Sequence, residues 1–190
     1  MIEKRIAFAK KVRRIPTERL VFLDESGLNL SMSRSHAWVK RGEEHIDRVP
    51  MNWGKNLTLL GAIRWTGWVV LNTMFATANG DRFAEWLEKK LLPRLANGDV
   101  LVMDNLPAHK DPRVRPLCDE YGVRLLYQPP YSPHLNPIEP AWALQKQHVR
   151  KHAPRTPQNL RRVARRARHR VTPRHCRNWF VHAGYAAPLR

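Results

Sequence analysis

Residues 100–105 read Val-Leu-Val-Met-Asp-Asn. Four consecutive apolar residues bounded by polar ones predict a short buried strand that stops at Asp104. Residues 20–24, Leu-Val-Phe-Leu-Asp, repeat the arrangement. That strand is expected to stop at Asp24, with Glu25-Ser26-Gly27 as turn chemistry. A third apolar run, VRLLYQ at 123–128, predicts another buried strand. Between the first and second lie LTLLGAIRW and WVVLNTMF, flanking Thr66-Gly67. Both are rich in β-branched and aromatic residues and predict a hairpin. A helix is expected from Asn79-Gly80-Asp81 to near Pro93, where Phe83, Trp86, Leu87 and Leu91 recur at helical spacing. Others are expected over 111–121, from about Pro137 to Lys151, and in two basic segments within 156–185. Strands followed by strand–helix alternation predict an α/β fold, a mixed sheet flanked by helices. Ligands of open α/β sheets gather beyond the carboxyl ends of strands. Asp24 and Asp104 are therefore expected side by side at one edge of the sheet.

An ionised carboxylate at the tip of a buried strand is costly unless it is paired or binds a metal. A turn or cap role is commoner for a single such aspartate; two strands ending alike shift the balance. The third acid of interest is Glu139. Asn136 suits an N-cap, Pro137 the first helical position, and Glu139 the third, a capping-box arrangement. The same residue sits on the first turn of a helix approached through PPYSPHLNP (129–137), a proline-rich stretch expected to be stiff and extended. Three carboxylates from separate elements make an all-oxygen site suited to Mg²⁺ or Mn²⁺. Two such ions would clamp the attacking and leaving oxygens of a phosphoryl displacement.

The chain has 190 residues and a formal net charge of +18. Residues 1–20 carry net +5, residues 21–139 net zero, and residues 140–190 net +13 with no acid. A neutral centre with two basic ends is the pattern of a polyanion binder, most simply of nucleic acid; double-stranded DNA is the expected partner. A hydrophobic content of 43% with seven Trp excludes a mainly disordered chain. No apolar run approaches the ~20 residues of a membrane span. Cys118 and Cys176 are too few and too far apart for a zinc site and are expected to be free thiols in a reducing cytoplasm. The expected organisation is a basic lead-in (1–19), a catalytic core (20–152) and a basic helical extension packed on the core (153–190). Lys146, Arg150 and Lys151, on the helix predicted from about Pro137 to Lys151, are candidate DNA contacts. So are Arg161, Arg162, Arg165 and Arg166, which surround the narrow apolar stripe of Val163, Ala164 and Ala167.

LDESGLNLSM around Asp24, VMDNLPAHK around Asp104 and LLYQPPYSPHLNPIEPAW around Glu139 together resemble the DDE transposases of bacterial insertion sequences. The resemblance is to the insertion-sequence-630 family, relatives of the mariner-like elements. The 34 residues between Asp104 and Glu139 match the spacing of that group, and VPMNWGKNLTLLGAI is similar to its central segment. The likeness runs over roughly residues 18–185. It implies an RNase H-like fold with a five-stranded mixed sheet, and Asp24, Asp104 and Glu139 as a catalytic triad binding two Mg²⁺ or Mn²⁺ ions. It also implies cleavage of transposon-end DNA by water, followed by strand transfer of the freed 3′-hydroxyl into target DNA, typically at TA. A homodimer that pairs two element ends is implied, at work in the bacterial cytoplasm on the nucleoid. His134 stands where the family usually has an acid. Relatives usually carry helix-turn-helix modules ahead of the catalytic domain; only 23 residues precede Asp24. The expectation is an upstream reading frame that supplies them, or a truncated copy without repeat-specific binding. Alternatives are another RNase H-fold nuclease, or a degenerate, non-catalytic DNA-binding remnant.

Two neighbours of Asp104 have open roles. Asn105 orients a ligand or closes a turn. His109 approaches the metals or a phosphate, or is a loop histidine satisfied by backbone, the commoner case. Tyr127 and Tyr131 frame the proline-rich segment, to stack on a base or to pack on the sheet.

Overall fold

β1 (Leu20–Leu28) lies at the centre of a five-stranded sheet and decides how the rest assembles. The computed structural model describes residues 2–185; residue 1 of the basic lead-in and residues 186–190 of the C-terminal extension lie outside the described residues. On one side β1 pairs antiparallel with β2 (Leu57–Arg64), which turns into β3 (Gly67–Met74). On the other side it pairs parallel with β4 (Val100–Met103), which pairs parallel with β5 (Arg124–Tyr127). The order is β3-β2-β1-β4-β5, a mixed sheet as expected. The predicted turn at Glu25–Gly27 is instead strand. The antiparallel ladder to β2 continues through Asp24↔Gly61, Glu25↔Leu60 and Gly27↔Thr58, and its hydrogen bonds outweigh the local preference for a bend. Asp24 therefore lies inside β1 rather than at its tip.

Alternation along the strands splits the core in two. Phe22, Leu28, Leu59, Val102 and Leu126 face one layer, with Trp142, Leu160 and Phe180 from helices. Val21, Leu23, Leu101, Met103 and Leu125 face the other, with Phe83, Leu87 and Cys118. The first layer is covered by α1 (Ile2–Val12), α4 (Glu139–His152), α5 (Pro157–Ala167) and α6 (Pro173–His182). The second is covered by α2 (Gly80–Trp86) and α3 (Val114–Glu120). Asn79 caps α2, its side chain accepting from the Arg82 amide. The helix then widens into a π turn over Leu87–Leu91 and tightens at Leu92–Arg94, where Pro93 ends it. Both cysteines are buried, unpaired and on opposite sides of the sheet. Among the described residues, no helix is long and apolar enough to cross a membrane.

The amino end of β4 carries a useful contrast. Asp99 is buried, yet fully compensated: Arg64 donates at 2.8 Å, the Ala96 amide at 2.9 Å, and Arg19 lies 3.7 Å away. Such a carboxylate holds the sheet to its loops. The acids at the opposite end of the strands have different surroundings.

Candidate active site

The pairing Phe22↔Val102, continued two steps, sets Asp24 beside Asp104 on neighbouring parallel strands. Equal register puts both side chains on the same face. Glu139 opens α4, whose Ala141, Trp142 and Val149 are buried in the layer on that face. The three carboxylates share one cleft of about 430 Å³, walled by Gln128, Asn136 and the segment Pro129–Pro133.

Asp24 is held from both sides. Its Oδ1 accepts from the Glu25 amide at 2.8 Å, and its Oδ2 from the Trp142 indole at 3.1 Å and from Asn136 Nδ2 at 3.4 Å. Trp142 reaches it over Gly61, directly opposite in β2. A Cβ at Gly61 would stand 2.9 Å from both the Trp142 and Trp68 rings. Burial pushes the Asp24 pKa up to about 7; the Glu25 amide and the indole oppose the rise, and the charges of Glu139 and Asp104 add to it.

Asp104 is pulled the other way. Burial works against its ionisation, but the His109 imidazole and the Leu106 amide outweigh it and lower its pKa. Oδ1 takes both contacts, at 2.6 Å from His109 Nδ1 and 3.0 Å from the Leu106 amide, which leaves Oδ2 toward the cleft without a recorded partner. His109 is fully buried. Its ring packs on Phe83 at 4.4 Å, and its Nε2 lies 3.4 Å from Glu25 Oε1, near enough for an ion pair though not aligned for a hydrogen bond. Burial disfavours the imidazolium, but Asp104 and Glu25 outweigh that cost and push its pKa up to about 9. The backbone-satisfied role is thus not the one seen: the His109 carbonyl accepts from Tyr127 Oη at 2.7 Å, and the ring serves the two acids. Asn105 turns away from Asp104 and donates to the Gln128 carbonyl, tying the ends of β4 and β5.

Glu139 departs from the expected capping box. Ile138 occupies the cap position, and Asn136 is spent otherwise: its amide reaches Asp24 and its Oδ1 accepts from the Ile138 amide at 3.4 Å. The Glu139 carboxylate is exposed and has no recorded hydrogen bond among the described residues, so both oxygens are free. The proline-rich approach is folded rather than extended, because proline fixes φ but not ψ. Tyr131 takes a positive φ of 52°, and Pro133–Leu135 form a 3₁₀ turn. Arg5 of α1 clamps the segment, donating to Ser132 Oγ at 3.0 Å and to the Tyr131 carbonyl at 2.6 Å. Tyr131 is exposed at the mouth of the cleft.

Among the described residues, no three histidine, cysteine or carboxylate side chains close on a point as a preformed metal cage. Mg²⁺ does not require one; it keeps several waters and is completed by substrate phosphates. The donor set fits such an ion: one free carboxylate, one carboxylate with a free oxygen, and a third whose ionisation the other two oppose. Glu25, Trp142, Asn136 and Arg5 escape a reading of the sequence. Only the acidic pair Asp24-Glu25 hinted at one of them, since alternation sends its members to opposite faces.

The basic candidates lie elsewhere. Lys146 is half-buried on α4, and Arg150 and Lys151 are exposed near its end. Arg161 lies over the Phe75 ring at 4.7 Å, and Arg162 donates to Asn159. Arg165 and Arg166 are exposed and line the same shallow groove as Arg161.

A sequence model described as DDE superfamily endonuclease matches residues 19–161. No curated protein sequence matches the chain. Among solved structures, the Mos1 transposase paired-end complex with left transposon end is 18% identical over 96% of this chain and 61% of its own, with a TM-score of 0.69. The Mos1 mariner paired-end complex with Mn is 15% identical over 95% of this chain and 57% of its own, with a TM-score of 0.72. The Mos1 transposase catalytic domain with Raltegravir and Mg is 15% identical over 97% of this chain and 94% of its own, with a TM-score of 0.59. The chain thus spans about three fifths of the longer relatives and nearly all of the catalytic domain. The shared fold is the RNase H-like one.

Proposed function

Since the chain belongs to the DDE superfamily of endonucleases, we propose that it is the catalytic domain of a mariner-like DNA transposase, with Asp24, Asp104 and Glu139 as its catalytic residues. The observation that carries the reading is the single cleft where β1, β4 and α4 bring these three acids together. Two Mg²⁺ or Mn²⁺ ions held there would activate the attacking oxygen and offset charge on the leaving one. The chain's own residues do the rest. Glu25, Trp142 and Asn136 hold Asp24, and His109 keeps Asp104 ionised with one oxygen toward the cleft. Water attacks the scissile phosphorus as the bond to the 3′-oxygen breaks, leaving a 3′-hydroxyl and a 5′-phosphate. That hydroxyl then attacks a target phosphorus and displaces its 3′-oxygen, so the number of phosphodiesters is conserved and no nucleotide cofactor is required.

Insertion at TA, action on the bacterial nucleoid, and cooperation with helix-turn-helix modules from an upstream frame complete the proposal. So does a homodimer. Its support is the long irregular segment between β1 and β2, where Ile46, Met51 and Trp53 are exposed, as a surface awaiting a partner would be. The Mos1 paired-end complexes named above supply the analogy. The test is nicking and strand transfer on element-end duplex in Mg²⁺ or Mn²⁺, with the chain alone and joined to its upstream modules. Wild type should cut and join while Asp104→Asn does neither; a wild type inert in both forms, or an active Asp104→Asn, refutes the proposal.

A further inference from the structure

A second cleft, of about 770 Å³, opens at the far end of α4. It is lined by residues from the end of α4, among them His148, Arg150 and Lys151, by Arg34 and Trp38 of the β1–β2 segment, and by Arg170. Arg34 ties the β1–β2 segment to α4, donating to the Lys151 carbonyl at 3.2 Å. No carboxylate lines the cleft, and Arg34, Arg150, Lys151 and Arg170 have no ion pair among the described residues. The field there is correspondingly positive: burial, then His152, Arg170 and Lys151, hold the His148 pKa below its usual value, and its Nδ1 lacks a hydrogen-bond partner. Trp38 lines the same cleft, and its indole is fully exposed. Indoles are seldom left wholly in water, and one beside unpaired cations is the composition of a stacking platform for an unpaired base.

The cleft is also in line with the catalytic acids. Glu139, Lys146 and Arg150 fall on one face of α4, at offsets of seven and eleven residues. From Glu139 to Arg150 is roughly 16 Å along the axis, about five nucleotides of a stacked strand at 3.4 Å each.

We propose that this cleft binds a single-stranded segment of DNA, its phosphates on Arg34, Arg150, Lys151 and Arg170 and one base stacked on Trp38. The inference rests on the reading of the chain as a DNA-cutting enzyme and extends it to where an unpaired strand is held. A duplex keeps its bases stacked inside and offers nothing to the indole, so the cleft favours single strands.

The test is the affinity of the whole chain for a short single-stranded oligonucleotide and for a blunt duplex of equal length, in EDTA so that nothing is cut. Trp38→Ala should weaken single-strand binding by roughly fivefold or more, leave the duplex unchanged, and be largely rescued by Trp38→Phe. Arg150→Ala with Lys151→Ala should lower the single-strand salt slope by about 1.4. An unchanged single-strand affinity in Trp38→Ala overturns the proposal, as does an equal loss for duplex. A variant that alters only sedimentation overturns it too, assigning the indole to a second copy of the chain. If these shifts appear but the wild type never cuts in Mn²⁺, the nuclease reading fails and the cleft stands; cutting without the shifts is the converse.

Discussion

In the metal-free protein Asp24 holds its proton far above the usual carboxylate range, and the consequence has a definite sign. Between 3.8 and about 7 the folded chain keeps a proton that the unfolded chain has released, so this group's contribution to stability falls as pH rises through that window. Asp24→Asn removes the buried charge. The variant should melt about 5 °C above metal-free wild type near pH 8, with a clearly smaller gain near pH 5, as followed by calorimetry in EDTA. Mn²⁺ should stabilise the wild type and not the variant. His109 works through Asp104. Without the imidazolium, Asp104 loses its strongest ionising partner, and His109→Ala should weaken Mn²⁺ binding about 10- to 100-fold by isothermal titration. The aspartates were legible because each follows an apolar run. The Glu25–His109–Asp104 chain was not, because Glu25 and His109 are far apart in sequence and meet only when β1 and β4 pair.

Elements were legible where apolar period and punctuation agreed. The runs read as strands at 100–103 and 123–128 are strands over Val100–Met103 and Arg124–Tyr127, and Asn79 starts a helix. The failures have tertiary causes. Asp24-Glu25-Ser26-Gly27 has turn composition, but β2 holds it extended. Asn136 has cap composition, but Asp24 takes its amide, and the helix starts later with Glu139 left free. Gly61 shows how much one strand position contributes to the site. Its missing side chain gives Trp142 the room to reach Asp24. Gly61→Ala should cost about 1–3 kcal/mol in urea denaturation, since two packed rings must move. The same variant should bind Mn²⁺ more weakly, because the indole that holds Asp24 is displaced.

At the scale of the molecule, charge and chemistry are segregated. The sheet's carboxyl edge collects the acids, while α5 and the end of α4 present cations to solvent. The +18 of the chain therefore works beside the cleft rather than in it. Duplex binding should fall steeply with salt, and replacing Arg165 and Arg166 by alanine should reduce the slope by about 1.8 without altering Mn²⁺ affinity. The segregation was visible in the sequence as a neutral centre between basic ends. The split of the cationic surface into two grooves on different helices was not, since it depends on how α4 packs against α5 and the β1–β2 segment.

The central claim, that Asp24, Asp104 and Glu139 together hold divalent ions, is met most directly by anomalous diffraction at the manganese edge from crystals grown in Mn²⁺. The account predicts peaks within coordination distance of these three carboxylates, lost in Asp104→Asn. Peaks confined to other acids, or a cleft that stays empty at saturating Mn²⁺ with DNA bound, would contradict it.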